Sequence, residues 1–411
     1  MPGRPFGWPT TSLIRSRGGP GISRPSADPG QGPLVVVVAG EASADLHGSK
    51  LVRALREIRE DLRFLGIGGP LMSAEGVELL AECSELSVVG LTEVVSRFPA
   101  ISTAYFRLKH LLATQKVSLF ILIDYPGFNL RIAKVAKKTG VPVLYYIAPQ
   151  VWAWRQGRVR KIKQRVDRIA VILPFEEKFF RERGIKADYV GHPLLDNTPA
   201  IGCSEALETQ AGLRGASPII CLAPGSRVQE VKAILPSMVE ALKGLIPKYP
   251  NLGCIIPLAP GIKEDLVRSL VIHSNLRVSI WKEGIYSALS LSNAALVTSG
   301  TATLETAIME VPMVVLYKLS PITFWLGKRV VKVNHISLVN LVAGREIVPE
   351  LIQDAVKPSK IINELLPLLE GGQKRREMLE GIREVKVKLG GGGASKRVAQ
   401  MAIEMIREEG S

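Results

Sequence analysis

Uninterrupted apolar runs alternate with amphipathic stretches along most of this 411-residue chain, and that alternation restricts the fold more than any other feature. Residues 34–38, 119–123 and 141–147 are apolar throughout instead of at every second position, so strands built from them need cover on both faces. Residues 46–60 place Leu51, Ala54, Leu55 and Ile58 on one helical face, and a second helix is expected from about 130 to 139. Helix 157–165, strand 168–173, helix 175–183 and strand 187–190 continue the series. A polar stretch at 196–216 reads as a linker. A second series follows, with strands at 219–222, 253–258, 277–280, 294–298 and 313–317 and helices at 228–246 and near 264–272. The tail from Pro358 is helical, broken by glycines at 390–393. The pattern predicts an α/β chain of two Rossmann-like domains with parallel sheets facing one cleft. The domains span 34–195 and 216–385, and a last helix at about 394–408 packs back on the first.

Hydrophobic residues make up 46% of the chain, enough for two sizeable cores. Lys and Arg number 53 against 38 Asp and Glu, and the net charge of +15 implies an anionic partner. No RRM, KH or helix-turn-helix pattern supports nucleic acid, which leaves a phosphorylated substrate or an acidic membrane surface. Cys83, Cys203, Cys221 and Cys254 show no CxxC spacing and are expected as reduced thiols of a cytoplasmic protein. No apolar run approaches the ~20 residues of a membrane span. Residues 1–33 are rich in Gly, Pro, Ser and Arg and hold Asp28 as their one acid, so they are expected as a disordered extension.

Open α/β sheets bind ligands beyond the carboxyl ends of their strands, so the loops leaving strands carry the chemistry. After the first strand, Gly40 permits a turn, and Glu41, Ser43, Asp45 and His47 supply polar groups; a capped helix start is the alternative. Asp124 ends the buried strand 119–123, where burial raises a carboxylate pKa toward that of a usable general base; tying down the next turn is the alternative. Trp152 and Trp154 precede a helix carrying Arg155, Arg158, Arg160, Lys161, Lys163, Arg165 and Arg168. That face is either simply solvated or in contact with phosphate or anionic lipid. Gly225 and Ser226 open another helix, and Arg227 can donate a bidentate pair to phosphate oxygens. Ser299, Gly300, Thr301, Ala302 and Thr303 form a small-residue turn at a further helix start, where free amides and the helix dipole favour an anion. Glu305, one turn on, is placed to accept hydrogen bonds from a sugar hydroxyl. A ribose diphosphate uses both features, whereas a plain helix cap needs only the Ser or Thr. His192 lies at the interdomain crossing, either lining the cleft or held locally. HExxH, DxD and clustered Cys/His are lacking, so neither metal nor cofactor is expected.

The segments AGEASADLHG, GLTEVV, IDYPGFNL, PQVWAWRQGRV, VILPFE, VGHPLLD, PGSRVQEV and SGTATLETA, with 324–353, occur in order from about 35 to 358. This series resembles the lipid-A-disaccharide synthase family, inverting glycosyltransferases of family 19 with the GT-B fold. The resemblance implies transfer of 2,3-diacylglucosamine from UDP-2,3-diacylglucosamine to 2,3-diacylglucosamine 1-phosphate (lipid X). The products it implies are UDP and a β-1,6-linked disaccharide phosphate. It places Asp124, Arg227 and Glu41 in the catalytic set and Asn340 with the UDP-sugar residues, with Glu350 and Gln353 nearby in the cleft. Ser43, Asp45, His47, Glu93 and Trp152 fall on the acceptor side. Ala44 stands where members often have Gly, and Gly127 where some have a second acid, which leaves Asp124 alone in its loop. Phe98, Tyr105, Phe106 and Leu108, interleaved with Arg97, Arg107 and Lys109, either cradle acyl chains or form an ordinary amphipathic helix. The resemblance further implies peripheral attachment to the inner membrane and a homodimer with exchanged C-terminal segments. Another GT-B UDP-sugar enzyme, epimerase or transferase, is the nearest alternative. A non-catalytic nucleotide- or membrane-binding protein is the other.

Overall fold

The computed structural model describes residues 32–86, 91–153, 157–196, 205–320, 324 and 333–408, without the side chains of 91–96 and 408. Residues 1–31 of the expected 1–33 extension, Trp154, Arg155, Cys203 and the Glu93 side chain lie outside the described residues.

Seven parallel strands form the first sheet: β1 (Leu34–Ala39), β2 (Arg63–Gly68), β3 (Glu78–Glu82), β4 (Val117–Ile123), β5 (Val143–Tyr146), β6 (Arg168–Val171) and β7 (Ala187–Tyr189). Their spatial order is β3-β2-β1-β4-β5-β6-β7. The second sheet has six parallel strands: β8 (Ile219–Ala223), β9 (Gly253–Pro257), β10 (Arg277–Trp281), β11 (Ala294–Thr298), β12 (Met313–Tyr317) and β13 (Glu350–Ile352), ordered β10-β9-β8-β11-β12-β13. Every residue of β1, β8 and β11 is buried, as their unbroken apolar character requires.

The strand order reverses once in each sheet. β1 lies between β2 and β4, and β8 between β9 and β11. The loops after β1 and β4, and those after β8 and β11, therefore flank the two switch-point crevices where such sheets bind ligands.

Three strands are not apparent from the apolar runs. β2 is interrupted by Gly66 and Gly68, and β3 and β13 are half-exposed edges with acidic first residues. Two helices start earlier than expected, at Ala42 and Pro126. The stretch expected as linker contains a short helix, Glu205–Gln210. The helix Ala394–Glu408 packs on Ala42–Ile58, where Val398, Ala399, Ala402 and Ile403 join the core around Val35, Val37 and Leu51. Asp196 fixes the start of that helix by accepting from the amides of Gly393 (2.6 Å), Ala394 (3.1 Å) and Ser395 (3.3 Å).

Gly66 lies opposite Val37 in the β1–β2 register, and a Cβ there would sit 1.8 Å from the Val37 carbonyl oxygen. Backbone in a central strand cannot retreat as a side chain can. Gly66→Ala is expected to lower the unfolding free energy by roughly 1–3 kcal/mol or more, read from the urea midpoint at unchanged slope.

Candidate active site

Asp124 follows the last residue of β4 and Tyr125 follows it, both in the left-handed region at φ 46° and 45°. Non-glycine residues hold that conformation at a cost of order 1–3 kcal/mol each, so the surroundings must impose it. Here the Asp124 carbonyl accepts from Asn129 Nδ2 at 2.7 Å and from the Tyr145 hydroxyl, while its amide donates to Tyr146 O at 3.1 Å. The Tyr125 ring folds over Gly40, where a Cβ would lie 2.3 Å from it, and its hydroxyl reaches Leu86 O at 2.8 Å. The clamped backbone turns the Asp124 carboxyl into a half-buried position. Burial first, and the Glu41 charge second, push its pKa up to about 6 against the opposing Tyr125 amide. Glu41 and Ser43 are exposed at the start of the neighbouring helix.

In the second domain the loops after β8, β9, β10 and β11 enclose a cavity of about 500 Å³. Gly225, Ser226, Arg227 and Glu230 line one side, and Ser299, Gly300, Thr301, Ala302 and Glu305 the other. The amides of Thr301 and Ala302 open the helix Thr301–Ile308, ahead of its first internal hydrogen bond, and so remain available to a ligand. Glu305 is pushed up to about 7 by burial. Pro257, Leu258, Ala259, Pro260 and Ile285 give the cavity an apolar end. Thr298, also in the lining, has a buried hydroxyl without a hydrogen-bond partner. Lys282 at the rim pairs with Glu264 at 2.7 Å. Among the described residues no group of three His, Cys, Asp or Glu is placed to hold a metal ion.

Several residues expected in the cleft are engaged elsewhere. Asp45 is 3% exposed and accepts the amides of Gly69 (2.7 Å), Leu71 (3.1 Å) and Met72 (3.1 Å), which makes it the cap of the helix Pro70–Ala74. Trp152 is buried in the second domain's core, stacked edge-on against Phe175, with its indole N–H on Glu176 at 2.9 Å. Thr303 is fully buried and donates to Gly300 O. Asn340 is absent from the cavity lining: it accepts the amides of Ile347 and Val348 and donates to Val348 O and to Glu350. Glu350 in turn accepts the amides of Ile336 and Ser337, and Ser299 donates to Ile336 O at 2.8 Å. Asn340 and Glu350 thus brace the Ser299 turn from behind. Gln353 bonds the Leu319 backbone through both ends of its amide. His47 has a buried Nδ1 without a partner, and burial pushes its pKa down to about 4. His192 is likewise about 4, lowered by burial and then by His47, and its Nδ1 accepts the Leu194 amide at 3.2 Å, a locally held hinge residue.

The architecture recurs in solved structures. UDP-GlcNAc 2-epimerase from Neisseria meningitidis, bound to UDP-GlcNAc, aligns with a TM-score of 0.60 at 14% identity over 91% of this chain and 100% of its own. The glycotransferase of kitacinnamycin gives 0.60 at 16% over 91% and 99%. At such identity these establish the GT-B fold alone. Sequence decides further. The family model for lipid-A-disaccharide synthetase matches residues 35–405. The chain belongs to the lipid-A-disaccharide synthase family. The lipid-A-disaccharide synthase of Myxococcus xanthus is 44% identical over 91% of this chain and 98% of its own length. That of Geobacter metallireducens is 45% identical over 90% and 97%. Within this synthase family scaffold, Asp45 is expected to serve stability. Asp45→Ala should cost about 1–3 kcal/mol in urea unfolding, because three amides lose a charged acceptor, and should leave UDP affinity in calorimetry unchanged.

Proposed function

We propose that this chain transfers 2,3-diacylglucosamine from UDP-2,3-diacylglucosamine to the 6-hydroxyl of 2,3-diacylglucosamine 1-phosphate. The observation that carries the reading at residue level is the strained, half-buried Asp124 at one switch point, matched by an amide-lined cavity at the other. Asp124 takes the proton of the 6-hydroxyl as that oxygen attacks the anomeric carbon from the face opposite UDP. The bond to the diphosphate oxygen breaks in the same displacement, which inverts configuration. Arg227 and the Thr301 and Ala302 amides take up the charge on the departing UDP. Glu305 accepts from the ribose hydroxyls, and Glu41 tunes Asp124.

Synthesis of the tetraacyl disaccharide phosphate from the two purified diacyl precursors tests the reaction. Turnover of UDP-N-acetylglucosamine instead would favour an epimerase. Asp124→Asn should lower kcat by about 10²–10⁴-fold, the usual weight of a general base, with UDP affinity retained. Because the carboxylate is the working form, log(kcat/KM) should fall as pH drops through about 6. Glu41→Gln removes a like charge, lowers the Asp124 pKa, and should move that acidic limb to lower pH.

The reading includes attachment to the inner membrane at its cytoplasmic face and, from the family resemblance, a homodimer. The helices Leu91–Thr114, Pro126–Lys138 and Arg158–Arg165 lie side by side on one face of the first sheet. Phe98 and Phe106 are 62% and 59% exposed there, and Arg160, Lys161 and Lys163 are exposed nearby. Leu108 is fully buried and belongs to the core, Arg165 donates to Leu130 O, and Arg168 pairs with Asp188 and Glu404. No helix among the described residues is long and apolar enough to cross a membrane. Cosedimentation with anionic liposomes at low salt, weakened by Phe98→Ser with Phe106→Ser, is the expected outcome.

A further inference from the structure

The two phosphate-directed turns of the cavity differ in one respect. At the turn after β11 no side chain among the described residues accepts from the Thr301 or Ala302 amides. At the turn after β8 the amides just ahead of the helix Val228–Leu245 are filled from within, by Glu230 of its first turn as a capping box. Glu230 Oε2 accepts the amides of Ser226 at 3.1 Å and Arg227 at 3.2 Å, and its Oε1 accepts from the Arg227 guanidinium at 2.7 Å. The carboxylate side chain is only 18% exposed, whereas Arg227 is 70% exposed. Gly225 makes this approach possible. Its φ is +117°, and a Cβ there would lie 2.6 Å from Glu230 Oε2.

Two helix-start amides and an arginine are the set a phosphate would take. One carboxylate already holds all of it inside the cavity. We propose that Glu230 is an internal stand-in for the nucleotide diphosphate, occupying the 225–227 turn in the empty protein and displaced from it when the nucleotide binds. This rests on reading the cavity as a uridine diphosphate site. A second anion cannot share those donors, since like charges at contact distance repel even where solvent reaches them. Binding at this turn is therefore an exchange of one anion for another. The returning carboxylate assists departure of the product UDP, and the open turn after β11 supplies the first foothold.

Calorimetry on the full chain with UDP and with uridine, for wild type and Glu230→Gln, tests the exchange. The amide keeps the size and one acceptor but removes the charge. UDP should bind the variant about five- to tenfold more tightly, the effect of removing one like charge at a part-exposed site, with slower UDP release in stopped flow and unchanged uridine affinity. UDP affinity that is equal or weaker in the variant overturns the proposal and makes Glu230 a plain support for Arg227. A wild-type crystal with UDP gives a test that needs no variant: the carboxylate should have left the Ser226 and Arg227 amides, and both bonds intact beside a seated diphosphate overturns it. Failure of wild type to bind UDP at all removes the nucleotide reading itself, and the exchange with it.

Discussion

Strands buried on both faces leave a ligand little but their last residues. β1, β4, β8 and β11 are apolar almost end to end and lie at the centre of their sheets. The candidate sites are consequently displaced to the carboxyl ends of these strands and the turns beyond them. The reversal of strand order then selects among those turns. Where the chain leaves in opposite directions from neighbouring strands, the adjoining loops diverge and leave a crevice. Asp124 and Glu41 flank one such crevice; Arg227 and Ser299 flank the other.

That displacement explains how much of the molecule was readable beforehand. The central strands stood out because double burial leaves an unmistakable apolar run. The edge strands β3 and β13 did not, since half-exposed residues such as Glu78 and Glu350 carry no such signal. The loops that line the cavity were found because small residues precede helices there. What spacing could not separate was a polar side chain aimed at the cleft from one aimed at its own backbone. Asp45 and Asn340 stand beside site residues in sequence, yet the first caps a helix and the second braces a loop. Trp152 presents a related difficulty, because an aromatic near a strand end gives no sign of which domain will bury it. Thr298 and Lys282 carry no signal in the sequence: a strand threonine and a surface lysine are ordinary until the fold sets them at a cavity wall.

The Asp124 turn shows strain held by its neighbours. Two consecutive left-handed residues would relax if free, but Asn129 and Tyr145 grip the intervening carbonyl and Gly40 admits the Tyr125 ring. Among the described residues no other side chain bonds the carboxyl oxygens, so burial and Glu41 raise its basicity and the Tyr125 amide opposes them. Rigidity comes from the main chain and reactivity from the side chain, and the two can vary separately.

Asp196 ends the first passage of the chain out of the first domain, and its carboxylate holds Gly393 and Ala394, where the chain comes home. Beside it Tyr189 and His192 donate to the carbonyls of Lys388 and Leu389, and Arg397 donates to Val190 O, so the outgoing and returning segments are laced together over several residues. A change that loosens Asp196 would therefore be felt by both passages of the chain at once.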